Sequence, residues 1–167
     1  MKIEYENPWF KVVEDNGHYY LVEDASTNGA IILLTINDSF VFVKAKRPAH
    51  RLYLLETPRG YGDPGESSEL CAIRELREET GYSFKVSDLE RIGYVRPNTA
   101  ILSAKIPVFL IESGQKQKGE IIDKEEVSEV VFLSKDKIHE EISRGNITDG
   151  MTLSALSLYW AKKQAPK

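Results

Sequence analysis

The sequence predicts an α/β domain, a mixed sheet with helices packed on it, and three observations carry that prediction. Ile-, Val- and Phe-rich runs open the chain, a strongly helical stretch follows, and further apolar runs lead into two closing helices. Early runs are joined by dipeptides suited to tight hairpins, Asn16-Gly17 and Asn37-Asp38. A chain of 167 residues, 41% hydrophobic and 29% charged, has the size and apolar content of one ordinary domain spanning residues 1–167.

"WFKVVEDNGHYYLVED" (Trp9 to Asp24) reads as a hairpin turning at Asn16-Gly17. "AIILLTI" and "SFVFVKAK" flank Asn37-Asp38 and carry the β-branched and aromatic content of buried strands. "RLYLLET" is a further strand running into a glycine-rich loop. A helix is predicted from about Ser68 to Thr80, with Leu70, Ile73 and Leu76, beside Ala72, as its docking stripe. Gly81 closes it as a left-handed cap. "LERIGYVRP" and "AKIPVFLIES" are two more strands, and "SGQKQKGEIIDKEE", which lacks apolar periodicity, is expected to be a mobile loop. "VSEVVFLS" is a late strand. Ser134 then caps a helix with Ile138 and Ile142 inward, and "TLSALSLYWAKKQ" closes the chain as an amphipathic helix presenting Leu153, Leu156, Tyr159 and Trp160.

Composition excludes several function classes. A net charge of −4 supplies no basic field for nucleic acid, though a local site could still take a small phosphorylated molecule. The single cysteine, Cys71, rules out an intramolecular disulfide and suits a reducing compartment. The opening "MKIEYENPWF" has no apolar signal core, and no apolar run approaches membrane-spanning length. The expectation is a cytoplasmic protein with neither a membrane nor a nucleic-acid partner.

The chemistry concentrates in "GYGDPGESSELCAIRELREETGY", Gly60 to Tyr82. On a helix, Glu75, Glu78 and Glu79 fall at i, i+3 and i+4, so their carboxylates share one side, while Arg74 and Arg77 are expected to point elsewhere and pair with neighbours. Carboxylates this close repel one another unless a cation lies between them, and oxygen-only ligands favour Mg²⁺ or Mn²⁺. The loop "PRGYGDPGE" brings backbone near the same place, and Glu66 adds a carboxylate. The alternative is a solvated Glu/Arg face with i,i+4 salt links.

Spacing decides against that alternative. Gly60, five residues, Glu66, seven residues, Arg74-Glu75-Leu76, one residue, Glu78-Glu79, one residue, then Gly81-Tyr82 resembles the Nudix box, with Tyr82 unusual in the last apolar slot. The flanks, "VFVKAKRPAHRLYLLETPRG", Pro97 and "GNITDGMTLSALSLYWA", are similar to the ADP-ribose and ADP-sugar pyrophosphatase branch of that family. The resemblance implies an α/β/α sandwich that hydrolyses a nucleoside diphosphate linked to another group, using Mg²⁺ or Mn²⁺. By position it makes Glu75 and Glu79 the main metal ligands, with Glu78, Glu66 and the Gly60 carbonyl assisting. Arg74 would orient the carboxylates or form a simple helix salt bridge.

The same resemblance places a general base in the acidic loop, at Glu125 first, with Asp123 and Glu126 behind it and Glu120 also present. Arg47 would contact substrate phosphates or the terminal ribose. Arg59 stands where many ADP-ribose hydrolases have a small residue and could grip a phosphate. The N-terminal strands, about residues 1–50, would form a dimerisation or substrate-binding sheet of a homodimer, with Trp9, Phe10, Tyr19 and Tyr20 packing there or stacking on adenine. The implied substrate is ADP-ribose or a related ADP compound. Open alternatives are a nucleotide sugar, a dinucleoside polyphosphate, NADH, a capped or triphosphorylated RNA end, and a non-catalytic ADP-ribose sensor.

Overall fold

The computed structural model describes residues 1–114 and 119–165. β1 (Lys2–Glu6), β2 (Lys11–Asp15) and β3 (His18–Val22) form a three-stranded antiparallel sheet in the order β1-β2-β3. A 3₁₀ turn at Asp24–Thr27 leads into β4 (Ala30–Ile36), and β5 (Ser39–Arg47), β6 (Leu52–Glu56) and β7 (Arg59–Gly60) follow. α1 (Ser68–Thr80), a second 3₁₀ turn at Val86–Asp88, β8 (Glu90–Val95), β9 (Ile106–Ser113), β10 (Val127–Leu133), α2 (Lys135–Ser143) and α3 (Gly150–Gln164) complete the described elements. The second sheet runs β10-β5-β4-β9-β8, with β6 on β5 and β7 on β4. β4 and β9 are parallel and the other pairs antiparallel, so the sheet is mixed as expected.

Both hairpins turn where the dipeptides predicted. Asn16 and Gly17 take φ 51° and 82°, and Asn37 and Asp38 take 48° and 62°, the left-handed pairs that match the twist of the flanking strands. β4 is buried along its whole length and alternates between two cores. Ile31 and Leu33 join Ile138 of α2 and Ala155, Leu156 and Tyr159 of α3, while Ile32 and Leu34 join Cys71, Ala72 and Leu76 of α1 on the other face. The result is the expected α/β/α sandwich.

Two helical stripes differ from expectation. Leu70 is 53% exposed, and the buried side of α1 is Cys71, Ala72, Leu76, Glu79 and Thr80. Residues 72, 76 and 80 keep the i+4 period, whereas Leu70 lies about 240° around the helix from Leu76. α3 buries Thr152, Ala155, Leu156 and Tyr159, leaving Leu153 and Trp160 only partly covered. β1 is a strand that sequence pattern alone did not assign.

The segment expected to be a mobile loop includes residues 115–118, which lie outside the described residues. Its later part is tied to the end of α1. Gly119 N–H donates to Gly81 O at 2.7 Å, and the Ile122 and Asp123 N–H groups donate to Glu78 O at 2.8 and 3.1 Å. Among the described residues, no helix is long and apolar enough to cross a membrane.

Candidate active site

α1 is positioned by its ends. Ser67 Oγ accepts the Leu70 N–H at 3.3 Å, and Gly81, at φ 75°, donates its N–H to Arg77 O at 2.9 Å. Between these caps the helix turns Glu75 and Glu79 toward β7. Gly60 of β7 pairs with Ala30 of β4, which holds the strand beneath the helix. The Glu75 carboxylate lies directly on Gly60, where a Cβ would stand 2.1 Å from Glu75 Cδ. Only glycine leaves that space.

Glu79 is 2% exposed and accepts the Arg59 backbone N–H at 3.1 Å. Burial pushes its pKa well above the usual carboxylate range, and the nearby Glu75 charge adds to the shift. Burial also raises Glu75, against the opposing pull of Arg74. Arg74 does not point away from the carboxylates; it stands among them. Its Nη1 donates to Glu75 at 2.7 Å and Glu78 at 3.1 Å, its Nε and Nη2 reach Glu66 at 3.1 and 2.9 Å, and Nη2 also reaches Tyr61 O at 2.8 Å. The Arg74 hydrogen bonds hold Glu66 below its ordinary pKa, despite some burial.

Gly60, Arg74, Glu75, Glu78 and Glu79 line a cavity of about 570 Å³, and Glu66, bonded to Arg74, lies outside that lining. The same cavity is also lined by Arg47, Arg59, Asp123 and Glu126. Arg47 Nη2 donates to Glu56 at 2.7 Å, and Arg47 Nη1 to Glu126. Arg59 pairs with Glu56 at 2.6 Å and with Asp149, the residue capping α3. Asp123 Oδ1 accepts the Glu126 N–H at 3.1 Å, and Lys46 N–H binds Glu126 O at 2.8 Å, so Glu126 is fixed on both sides. Glu125, expected as the general base, is exposed and stands outside the cavity lining. Glu120 is also exposed.

Glu23, Tyr61, Pro97, Leu102 and Met151 also line the cavity. Tyr61 Oη donates to Glu23 at 2.8 Å, and burial together with that carboxylate pushes the phenol up to about 12. None of Trp9, Phe10, Tyr19 and Tyr20 lines the cavity, and Trp9 and Tyr19 are 75% and 61% exposed.

The site residues fit a hard divalent cation. Every candidate donor is an oxygen, Gly60 makes room for the Glu75 carboxylate, and burial has brought Glu75 and Glu79 together at a cost that a cation would relieve. Among the described residues, no three acidic, histidine or cysteine side chains already form a metal shell. Arg74 supplies the positive charge among Glu66, Glu75 and Glu78.

Sequence reasoning missed Glu56 and Asp149. Glu56 left one signal: a carboxylate in the inward register of a strand, after Leu54. Asp149 left the weaker signal of an acidic cap before a helix.

With this geometry in view, a family model described as NUDIX domain matches residues 26–151. The chain belongs to the Nudix family of hydrolases. Nudix members generally use divalent metal ions and act on small nucleotide substrates. An ADP-ribose pyrophosphatase of Bacillus subtilis (strain 168) is 30% identical over 139 residues, covering 81% of this chain and 74% of that one. An ADP-ribose pyrophosphatase of Saccharomyces cerevisiae is 31% identical over 93 residues, covering 53% of this chain and 40% of that protein. A solved structure described as an ADP compounds hydrolase superposes with a TM-score of 0.73 at 21% identity, covering 98% of this chain and 92% of the other, which speaks to the fold.

Proposed function

We propose that this Nudix hydrolase cleaves the pyrophosphate bond of ADP-ribose, or of a closely related ADP compound, to AMP and a phosphorylated product. The observation that carries the reading is a cavity of about 570 Å³ whose lining brings Glu75, Glu78 and Glu79 together with Arg47 and Arg59, while Glu66 is held beside it by Arg74. A pyrophosphate carries negative charge that such guanidiniums match, and its bridging bond needs a polarised site beside it. The ADP-ribose pyrophosphatase relatives support the choice of substrate.

Glu75 and Glu79, with Glu78, Glu66 and the Gly60 carbonyl, would hold Mg²⁺ or Mn²⁺. Bound there, the ion would offset the pyrophosphate charge and make water more acidic. Arg47 and Arg59 bind and orient the phosphates. Arg74 holds three carboxylates in register through the contacts it makes now. Glu126, rather than the exposed Glu125, is assigned as the base that takes the proton from the attacking water. It lines the cavity, and its charge acts on both Glu75 and Glu79.

We also read residues 1–167 as one Nudix domain acting in the cytoplasm as a homodimer. The exposed Ile3, Tyr5 and Tyr19 of the N-terminal sheet, with Trp9 in the connection between β1 and β2, support self-association. Sedimentation at micromolar protein tests it, and a monomer would remove that part of the reading.

Product analysis tests the activity. Purified protein with Mg²⁺ and ADP-ribose should release AMP and ribose 5-phosphate, and Glu79→Gln should lose most of that rate. Faster cleavage of a different nucleoside diphosphate would keep the chemistry and replace the substrate. Binding of ADP-ribose without cleavage would favour a sensor.

A further inference from the structure

We propose that Glu56 is a positioning residue: it sets the spacing of Arg47 and Arg59 so that the two guanidiniums grip both phosphates of one diphosphate together. This rests on the pyrophosphohydrolase reading above, and it gives that site a rule for distinguishing diphosphates from monophosphates.

Glu56 ends β6 in an inward register and is 1% exposed. Its Oε2 accepts from Arg47 Nη2 at 2.7 Å and forms an ion pair with Arg59 Nη2 at 2.6 Å. Arg47 Nε closes a fork on the same carboxylate at 3.1 and 3.2 Å. A carboxylate this buried is tolerated only as the charge partner of cations. Equally, two guanidiniums converging on one oxygen repel each other, and the carboxylate between them is what holds them close. Glu56 is not part of the cavity lining, whereas both arginines are. It therefore acts on a ligand only through them.

The outer sides of the pair are also held. Arg47 reaches Glu126, and Arg59 reaches Asp149, whose Oδ2 accepts the Thr152 N–H at 2.8 Å at the start of α3. The backbone beside Glu56 is pinned to the same helix, with Thr57 N–H on Thr152 Oγ1 at 3.0 Å. The fork is thus built between β6 and α3, two rigid supports. A guanidinium has five N–H donors, more than these contacts use, so each arginine keeps donors for a phosphate. Two cations at one fixed separation suit two linked phosphates better than one. A residue serving only to tie β6 to α3 would have no such bearing on the ligand.

Calorimetry on the full-length protein at fixed Mg²⁺, with α,β-methylene-ADP and with AMP, tests the proposal. The wild type is expected to bind the diphosphate more tightly. Glu56→Gln keeps the side-chain shape and removes the charge; it should cut that preference by about tenfold while AMP affinity changes by less than about threefold. Arg47→Lys keeps the charge and loses the fork; it should cut the preference similarly, and it serves if Glu56→Gln does not fold. A wild type that prefers the diphosphate while a folded variant keeps that preference overturns the role of Glu56 and leaves the hydrolase reading standing. A wild type that binds neither ligand overturns both.

Discussion

The Glu75 carboxylate occupies the space that a side chain on Gly60 would take, with Cδ only 2.1 Å from the position of a Cβ. The clashing atoms are the far end of a flexible side chain, so the backbone need not move. Gly60→Ala is therefore expected to fold with a stability loss of about 1 kcal/mol, at the low end for overpacking. The displaced Glu75 should weaken apparent Mg²⁺ affinity, and with it activity, by about 10–100-fold. Thermal melts set beside a Mg²⁺ titration of the rate check this. A variant that melts far lower, or that keeps its Mg²⁺ dependence, would show that the contact does not matter in this way.

Cys71 sits beneath the same strand, fully buried, with its thiol 3.7 Å from the Gly60 carbonyl. Burial, reinforced by the Glu75 charge, pushes the thiol up to about 12. The nucleophile is the thiolate, so at pH 8 the native protein should resist iodoacetamide for hours and react completely once denatured. Intact-mass measurement reads the result directly, and rapid native labelling would contradict the burial described for α1.

Asp149 has two duties, capping α3 and pairing with Arg59. Burial raises its pKa, but Arg59 and the Thr152 hydrogen bonds together outweigh burial and the net shift is downward. A depressed carboxylate stabilises the fold above its unfolded pKa of about 3.9 and loses that contribution as pH falls through the lower folded value. Asn caps helices about as well as Asp, so Asp149→Asn isolates the charge. At pH 7 it should cost about 1–3 kcal/mol, and the gap from wild type should begin to narrow as pH falls below about 4. Urea denaturation across pH 3–8 tests both points, and a gap independent of pH would mean that only shape matters at this position.

What was legible in the sequence was local. The Asn16-Gly17 and Asn37-Asp38 turns follow from backbone preference at adjacent residues, and the Glu75, Glu78, Glu79 face follows from helical period alone. The Arg47–Glu56–Arg59–Asp149 network was not legible, because its members meet only through pairings such as Val43 with Glu56 and through the docking of α3. The acidic loop shows the same limit. Four carboxylates between residues 120 and 126 look equivalent in sequence, and it is the bonds from Ile122 and Asp123 to Glu78 O that turn Asp123 and Glu126 inward and leave Glu125 in solvent. Leu70 misled because a stripe read at i and i+3 fits more than one helical face, and the sheet selects which face is buried.

Glu79 sets function against stability. Its burial and the adjacent Glu75 charge raise its pKa, so its ionised form at neutral pH opposes folding, and that penalty is relieved as pH falls toward its unfolded value of about 4.3. Glu79→Gln removes the charge while its amide oxygen can still accept the Arg59 N–H. In chelator-treated samples at pH 7.5 the variant should be more stable than wild type by about 0.5–2 kcal/mol. Mg²⁺ should then raise the melting temperature of the wild type and barely move that of the variant, because a ligand stabilises only the folded state it binds. Differential scanning calorimetry with and without Mg²⁺ measures both effects in one series. Equal Mg²⁺ stabilisation of the two proteins would take Glu79 out of the metal site, while a variant less stable than wild type without metal would mean that Glu79 is held by contacts worth more than its desolvation.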